Sequence, residues 1–185
     1  MTYVLIWPDW LVFNAIAYAF APWLVSKAAP AFGLTDNGTA TGIEPRLSGW
    51  LSVFGQDDNS LWGDAGWQRE NDYKSPEAMI RWLRKNPGYT FEIRVIGAAI
   101  RPLDKVRFLG NPWIKDGDEA VAGYCFTMVG WYWHLIYIVP IGFGRCLHHE
   151  FGWKLQTYAQ DHRRTVTQPR AQYVFSPRFS RFSKG

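Results

Sequence analysis

Between Trp10 and Ser26 the chain runs seventeen residues without a charge, WLVFNAIAYAFAPWLVS. No other stretch limits the fold as strongly, because a helix that is apolar on every side needs shelter on every side. Ala15, Ala17, Ala19 and Ala21 favour helix, and Pro22 is expected to kink its end. Asp9 stands just before the run and can cap the first turn through its carboxylate. The length sits at the short limit for crossing a bilayer, where about 20 residues is usual. Nothing positive precedes the run, so it does not read as a secretory signal. Two readings stand: a helix buried in or docked on the protein, or one placed in a membrane. Trp10, Leu11, Phe13, Phe20 and Trp23 are the expected contacts with membrane or partner.

Whatever surrounds that run must fold around it. Hydrophobic residues make up 48% of the 185, which excludes a disordered chain. Eleven prolines and seventeen glycines interrupt the chain too often for a helical bundle. Two cysteines cannot make a disulfide framework. The sequence contains no phosphate-binding Walker loop, no GxGxxG and no GxSxG nucleophile turn. The net charge of +4 conceals an asymmetry: after Asp161 no acidic residue follows, yet six basic ones do. The expected organisation is an apolar helical segment at 1–27, an α+β core at 28–162, and a C-terminal strand with a basic tail at 163–185. Such a tail can engage phosphate in nucleic acid or lipid, or keep the chain soluble.

Within the core, Ala28–Asn59 reads as loop with short extended pieces, and Trp50, Leu51, Val53 and Phe54 form a local apolar knot. Ser75–Asn86 reads as a helix, with Ser75 as cap, Pro76 at its first position and Asn86-Pro87-Gly88 at its end. Met79, Ile80 and Leu83 share one face; Arg81, Arg84 and Lys85 share the other, either as an ordinary solvated face or as a contact with anionic lipid. Tyr89–Arg101 alternates and predicts a half-buried strand. Ala120–Gly144 carries no Asp, Glu, Lys or Arg and by length alone qualifies as a transmembrane helix, but its β-branched and aromatic residues suit a sheet; Gly123–Gln156 therefore predicts an antiparallel meander with a turn around Pro140, Gly142 and Gly144. Along its last strand Leu147, His149, Phe151, Trp153 and Leu155 share one face, and Cys146, His148, Glu150 and Lys154 the other. Ala171–Phe175 predicts a short strand, followed by a basic tail carrying Arg178, Arg181 and Lys184. The fold class is α+β: a mostly antiparallel sheet with an apolar N-terminal helix and one short amphipathic helix.

Two clusters could carry chemistry. In DDNSLWGDAGW, Asp58, Asn59 and Asp64 could hold a divalent cation, since oxygen ligands suit Ca²⁺ or Mg²⁺. The spacing is not that of an EF-hand, and the same residues suit an Asx-rich turn. On a strand, His148 and Glu150 face the same way and could act as base and orienter, or bind a metal with Cys146. They equally suit a polar network on a sheet. Cys125 and Cys146 could approach one another, although reduced, buried thiols are the ordinary state.

Four segments resemble a family of uncharacterised proteins encoded by tailed bacteriophages and prophages: DNSLWGDAGW (Asp58–Trp67), WLRKNPGYTFE (Trp82–Glu92), GFGRC with FGWKLQTYAQ (Gly142–Gln160), and AQYVFSPRF (Ala171–Phe179). The resemblance implies a phage origin and transfers no catalytic residue. The expectation is a non-enzymatic phage accessory protein associated with the host inner membrane through its N-terminal segment. The alternatives are a virion or assembly component, contacting other phage subunits or packaged DNA, and a metal-dependent enzyme built on Asp58/Asn59/Asp64 or on His148/Glu150. No small-molecule substrate and no cofactor beyond a possible divalent cation is indicated, and the expected location is the host inner membrane or cytoplasm, or else the virion.

Overall fold

A computed structural model describes residues 2–34, 40–56, 60–100, 105–160 and 170–183. The fold is α+β, and the chain divides into two compact units, Met1–Val95 and Ile96–Gly185. The apolar segment falls within the first unit.

The first unit opens with α1 (Thr2–Ser26), eight residues longer at its start than the uncharged run suggests. Strands β1 (Ala29–Leu34) and β2 (Ala40–Arg46) follow as an antiparallel hairpin. A 3-10 turn (Gly49–Phe54) and the short α2 (Ala65–Glu70) lead to α3 (Pro76–Lys85), whose Ser75 hydroxyl accepts from Ala78 N as the sequence suggests. Leu83 joins Ala21, Leu24, Leu47 and Leu61 in one buried cluster, with Met79 and Ile80 packed against it. The strand expected from Tyr89 is instead α4 (Tyr89–Arg94). Its alternation is misleading because the residues it buries are the polar ones. Thr90 donates its hydroxyl to Gly55 O at 2.9 Å, and Glu92 is sealed under Trp10. Gly88 precedes this helix with φ +70, and a Cβ there would stand 2.9 Å from the Phe13 ring. Tertiary contact thus overrides local pattern.

The second unit is an antiparallel sheet in the order β4-β5-β6-β7-β9, formed by β4 (Val106–Gly110), β5 (Gly123–Val129), β6 (Tyr132–Gly142), β7 (Arg145–Trp153) and β9 (Tyr173–Arg181). Two-residue strands β3 (Ala98–Ala99) and β8 (Arg170–Ala171) pair beside it, and α5 (Gln156–Gln160) follows β7. The expected meander is present, but β6 continues through Pro140 with a bulge before Gly142, so the reversal falls at Phe143-Gly144. The short strand expected at Ala171–Phe175 is longer: β9 continues through Arg181, so the first residues of the expected basic tail pair with β7. Pro177 obscured this, yet β9 is an edge strand, where a missing N–H is tolerated. Lys184 lies outside the described residues, as do Arg163 and Arg164.

The two faces of β7 are also the reverse of what polarity suggests. Cys146, His148 and Glu150 point into the unit, while Leu147, His149 and Phe151 are half-exposed. Cys125 and Cys146 are buried with Ile114, Ile136, Ile138 and Phe182. They do not meet, since β6 separates their strands, and both are free thiols.

Candidate functional site

Helix α1 owes its position to a narrow inward stripe. Asn14, Ala17, Ala21 and Leu24 are buried, spaced three and four apart on one side. Small residues at 17 and 21 let α3 approach. Phe13 is stacked between Phe54 and Phe91, with centroids 4.7 and 3.9 Å away. Trp10 donates its indole N–H to Glu92 Oε1 at 2.6 Å. Two of the five expected membrane contacts, Trp10 and Phe13, are thus turned toward the chain's own side chains. The other three, Leu11, Phe20 and Trp23, face outward.

They have company there. Val4 and Leu5 are 71% and 70% exposed, and Val12, Ile16 and Tyr18 are exposed as well. Of the span from Tyr3 to Ser26, only 11% of the most apolar window is buried. By length and composition this helix suffices to cross a membrane, a test that buried core helices and signal sequences also pass. Asp9 is the only Asp, Glu, Lys or Arg in this span.

Pro22 gives α1 a second anchor. Lacking an N–H, it leaves the carbonyl of Tyr18 without its helical donor. Arg84 of α3 replaces that donor: its Nε reaches Tyr18 O at 3.3 Å and its guanidinium lies 4.9 Å over the Tyr18 ring. Lys85 sits over the rings of Trp67 and Trp82, and Arg81 donates weakly to Asn71 Oδ1 at 3.5 Å. The basic side of α3 is therefore partly engaged in packing.

Asp64, the one candidate cation ligand within the described residues, is the N-cap of α2 and accepts from Trp67 N at 2.8 Å. Asp57, Asp58 and Asn59 lie outside the described residues. Among the described residues no group of three or more His, Cys, Asp or Glu side chains is placed to hold a metal.

The second unit does assemble His148 and Glu150, with Asp116, Arg178 and His134 as their partners. His148 Nδ1 lies 2.8 Å from Asp116 Oδ2, and Arg178 Nη2 lies 3.4 Å from the same oxygen. Glu150 Oε1 accepts from His134 Nε2 at 3.1 Å, and its other oxygen stands 3.9 Å from His148 Nε2. Burial alone would raise both carboxyls. Hydrogen bonds from Ser180 and His148, with the charges of His148 and Arg178, hold Asp116 below its ordinary range instead. Glu150 is lowered likewise by the His134 hydrogen bond and by Lys154, His134 and His148. Because both carboxylates only accept, Nδ1 of His148 and Nε2 of His134 carry the hydrogens. The Asp116–His148 pair has the form of an oriented base, yet His148 Nε2 is buried and directed at Glu150. The cluster ties the Asp116 turn to strands β6, β7 and β9. Burial also pushes the Cys125 and Cys146 thiols up. Arg181 pairs with Asp118 at 3.2 Å. Asp116 reaches His148 from a turn distant in sequence, and His134 meets Glu150 diagonally across the β6–β7 pairing, where Ile136 is the register partner of Glu150; neither partnership is encoded by local spacing.

No curated protein and no solved structure matches this chain. A family model does, over residues 1–183, and on that match the chain belongs to the Family of unknown function (DUF7338).

Proposed function

We propose that this protein is a non-enzymatic, membrane-associated accessory protein, held to the bilayer by the outer face of α1. The observation that carries the reading is the long apolar face of α1 left open to solvent along the whole helix. Contiguous apolar surface of this extent marks a contact with lipid or protein.

The contacts of α1 favour an in-plane placement over a spanning one. Glu92 touches the helix at Trp10 and Arg84 touches it at Tyr18. A transverse helix would carry both charges toward the bilayer centre, at about 3 kcal/mol or more each. A helix lying in the interface keeps them on the aqueous side, while Leu11, Phe20 and Trp23 enter the acyl boundary. The four motifs resembling phage proteins support a bacteriophage origin, and hence the host inner membrane as the surface.

The test is fractionation of cells expressing the full chain or a Val12→Ser/Ile16→Ser/Phe20→Ser variant, whose changes lie on the exposed face. The wild type should sediment with membranes after low-salt lysis and the variant should become soluble. A wild type that stays soluble overturns the reading. A wild type that instead co-purifies with particles in membrane-free preparations supports the virion alternative, in which another subunit covers the same face.

A further inference from the structure

The reversal between β6 and β7 is unusual for its side chains. Gly142, Phe143 and Gly144 all have positive φ, at +92, +52 and +66. Such a turn suits glycine or asparagine, and an aromatic residue there sits in a left-handed conformation that costs about 1 kcal/mol. Phe143 nonetheless occupies the apex and is 103% exposed. Ile141 and Val139 on the same hairpin are 47% and 46% exposed, and Phe179, paired across from Leu147, is 71% exposed. Apolar side chains therefore crown the end of the hairpin, at a backbone strain that nothing within the unit explains.

Charge surrounds this crown on one side of the balance. Arg145 opens β7 directly beside the apex, is exposed, and has no ion pair among the described residues. Its register partner is Arg181, which is neutralised by Asp118. The hairpin end thus presents a convex apolar tip with one uncompensated positive charge. A protruding tip demands a matching cavity from a protein partner. A bilayer demands none, and anionic headgroups supply the complementary charge.

We infer that the β6–β7 hairpin is a second lipid contact, with Ile141 and Phe143 entering an anionic membrane and Arg145 meeting its phosphates. This rests on the reading of the protein as membrane-associated, but names a separate element and a lipid chemistry.

The experiment is sedimentation of the full-length protein with vesicles of phosphatidylcholine alone, or of equimolar phosphatidylcholine and phosphatidylglycerol. The Ile141→Ser/Phe143→Ser variant should bind the mixed vesicles about tenfold more weakly, as two apolar side chains leave the bilayer. Arg145→Gln should lose about fivefold on the mixed vesicles and nothing on the neutral ones. Phe143→Asn adds a readout that a purely structural role would not produce: the turn gains stability in denaturant unfolding while vesicle binding falls. Binding by all three variants equal to wild type, with loss only in the α1 variant, overturns this inference and leaves the α1 reading standing. Failure of the wild type to bind either vesicle overturns both. A wild type that self-associates in solution, and becomes monomeric on Phe143→Ser, overturns the lipid assignment in favour of a second copy of the chain.

Discussion

At the scale of single residues, the most exacting positions are those where backbone and neighbour leave no room. Gly152 has φ +101, and a Cβ there would meet Trp133 O at 2.2 Å. Gly152→Ala is therefore expected to destabilise the second unit by about 3 kcal/mol or more, read as a lower denaturant midpoint. The contrast with Phe143 is instructive. Both positions demand a left-handed backbone, but Phe143 has open solvent around it, so the same demand produces strain without collision. The sequence shows FG and GFG motifs plainly and says nothing of which glycine is indispensable, since for Gly152 that depends on the carbonyl of Trp133, nineteen residues away.

At the scale of elements, α1 and α3 are joined by a device that only the pair reveals. Removing the guanidinium by Arg84→Ala leaves the Tyr18 carbonyl without a donor, and should cost about 1–2 kcal/mol. In a Pro22→Ala background the helical N–H returns to that carbonyl, so the same Arg84→Ala change should cost much less. Thermal unfolding of the four proteins of this cycle measures the coupling. In the sheet, Asp116 and Glu150 both have folded pKa values below their ordinary ones. The folded state then binds fewer protons than the unfolded chain. Their stabilisation is complete above the unfolded carboxylate range, about pH 4, and fades as pH falls through the lower folded values. Unfolding midpoints should drop steeply between pH 5 and 3 as an order-of-magnitude window, and Asp116→Asn with Glu150→Gln should flatten that fall.

The same two regions divide what sequence alone discloses about elements. The apolar helix was legible from its uncharged run, although it starts at Thr2 so that Asp9 lies inside it rather than capping it; the helix from Ser75 was legible from its cap and the central meander from its β-branched and aromatic residues. α4 and β9 were not. In α4 the buried positions are Thr90 and Glu92, made acceptable only by Gly55 and Trp10 far away in the chain. In β9 proline and arginine disguise an edge strand whose pairing partner supplies the order. The polar face of β7 turned inward for a similar reason: Asp116 arrives from a turn to satisfy it.

At the scale of the whole molecule, charge is unevenly shared. Residues 96–185 contain twelve Lys and Arg against six Asp and Glu, whereas residues 1–95 contain eight against ten. On the proposed membrane reading, attraction to an anionic surface would fall mainly to the second unit, and apolar anchoring to α1 together with the tip of the β6–β7 hairpin. Full-length protein purified without detergent should accordingly form large assemblies in light scattering. The Val12→Ser/Ile16→Ser/Phe20→Ser variant should be monodisperse at the same concentration. An equally aggregated variant would place the sticky surface elsewhere.

Both thiols of the chain lie in the interior of the second unit, and none lies in the first. Nature has thereby installed a unit-specific clock. An alkylating reagent can reach Cys125 or Cys146 only when that sheet opens, so the labelling rate in native buffer reports the opening equilibrium of one half of the molecule, with no engineered probe and no signal from the other.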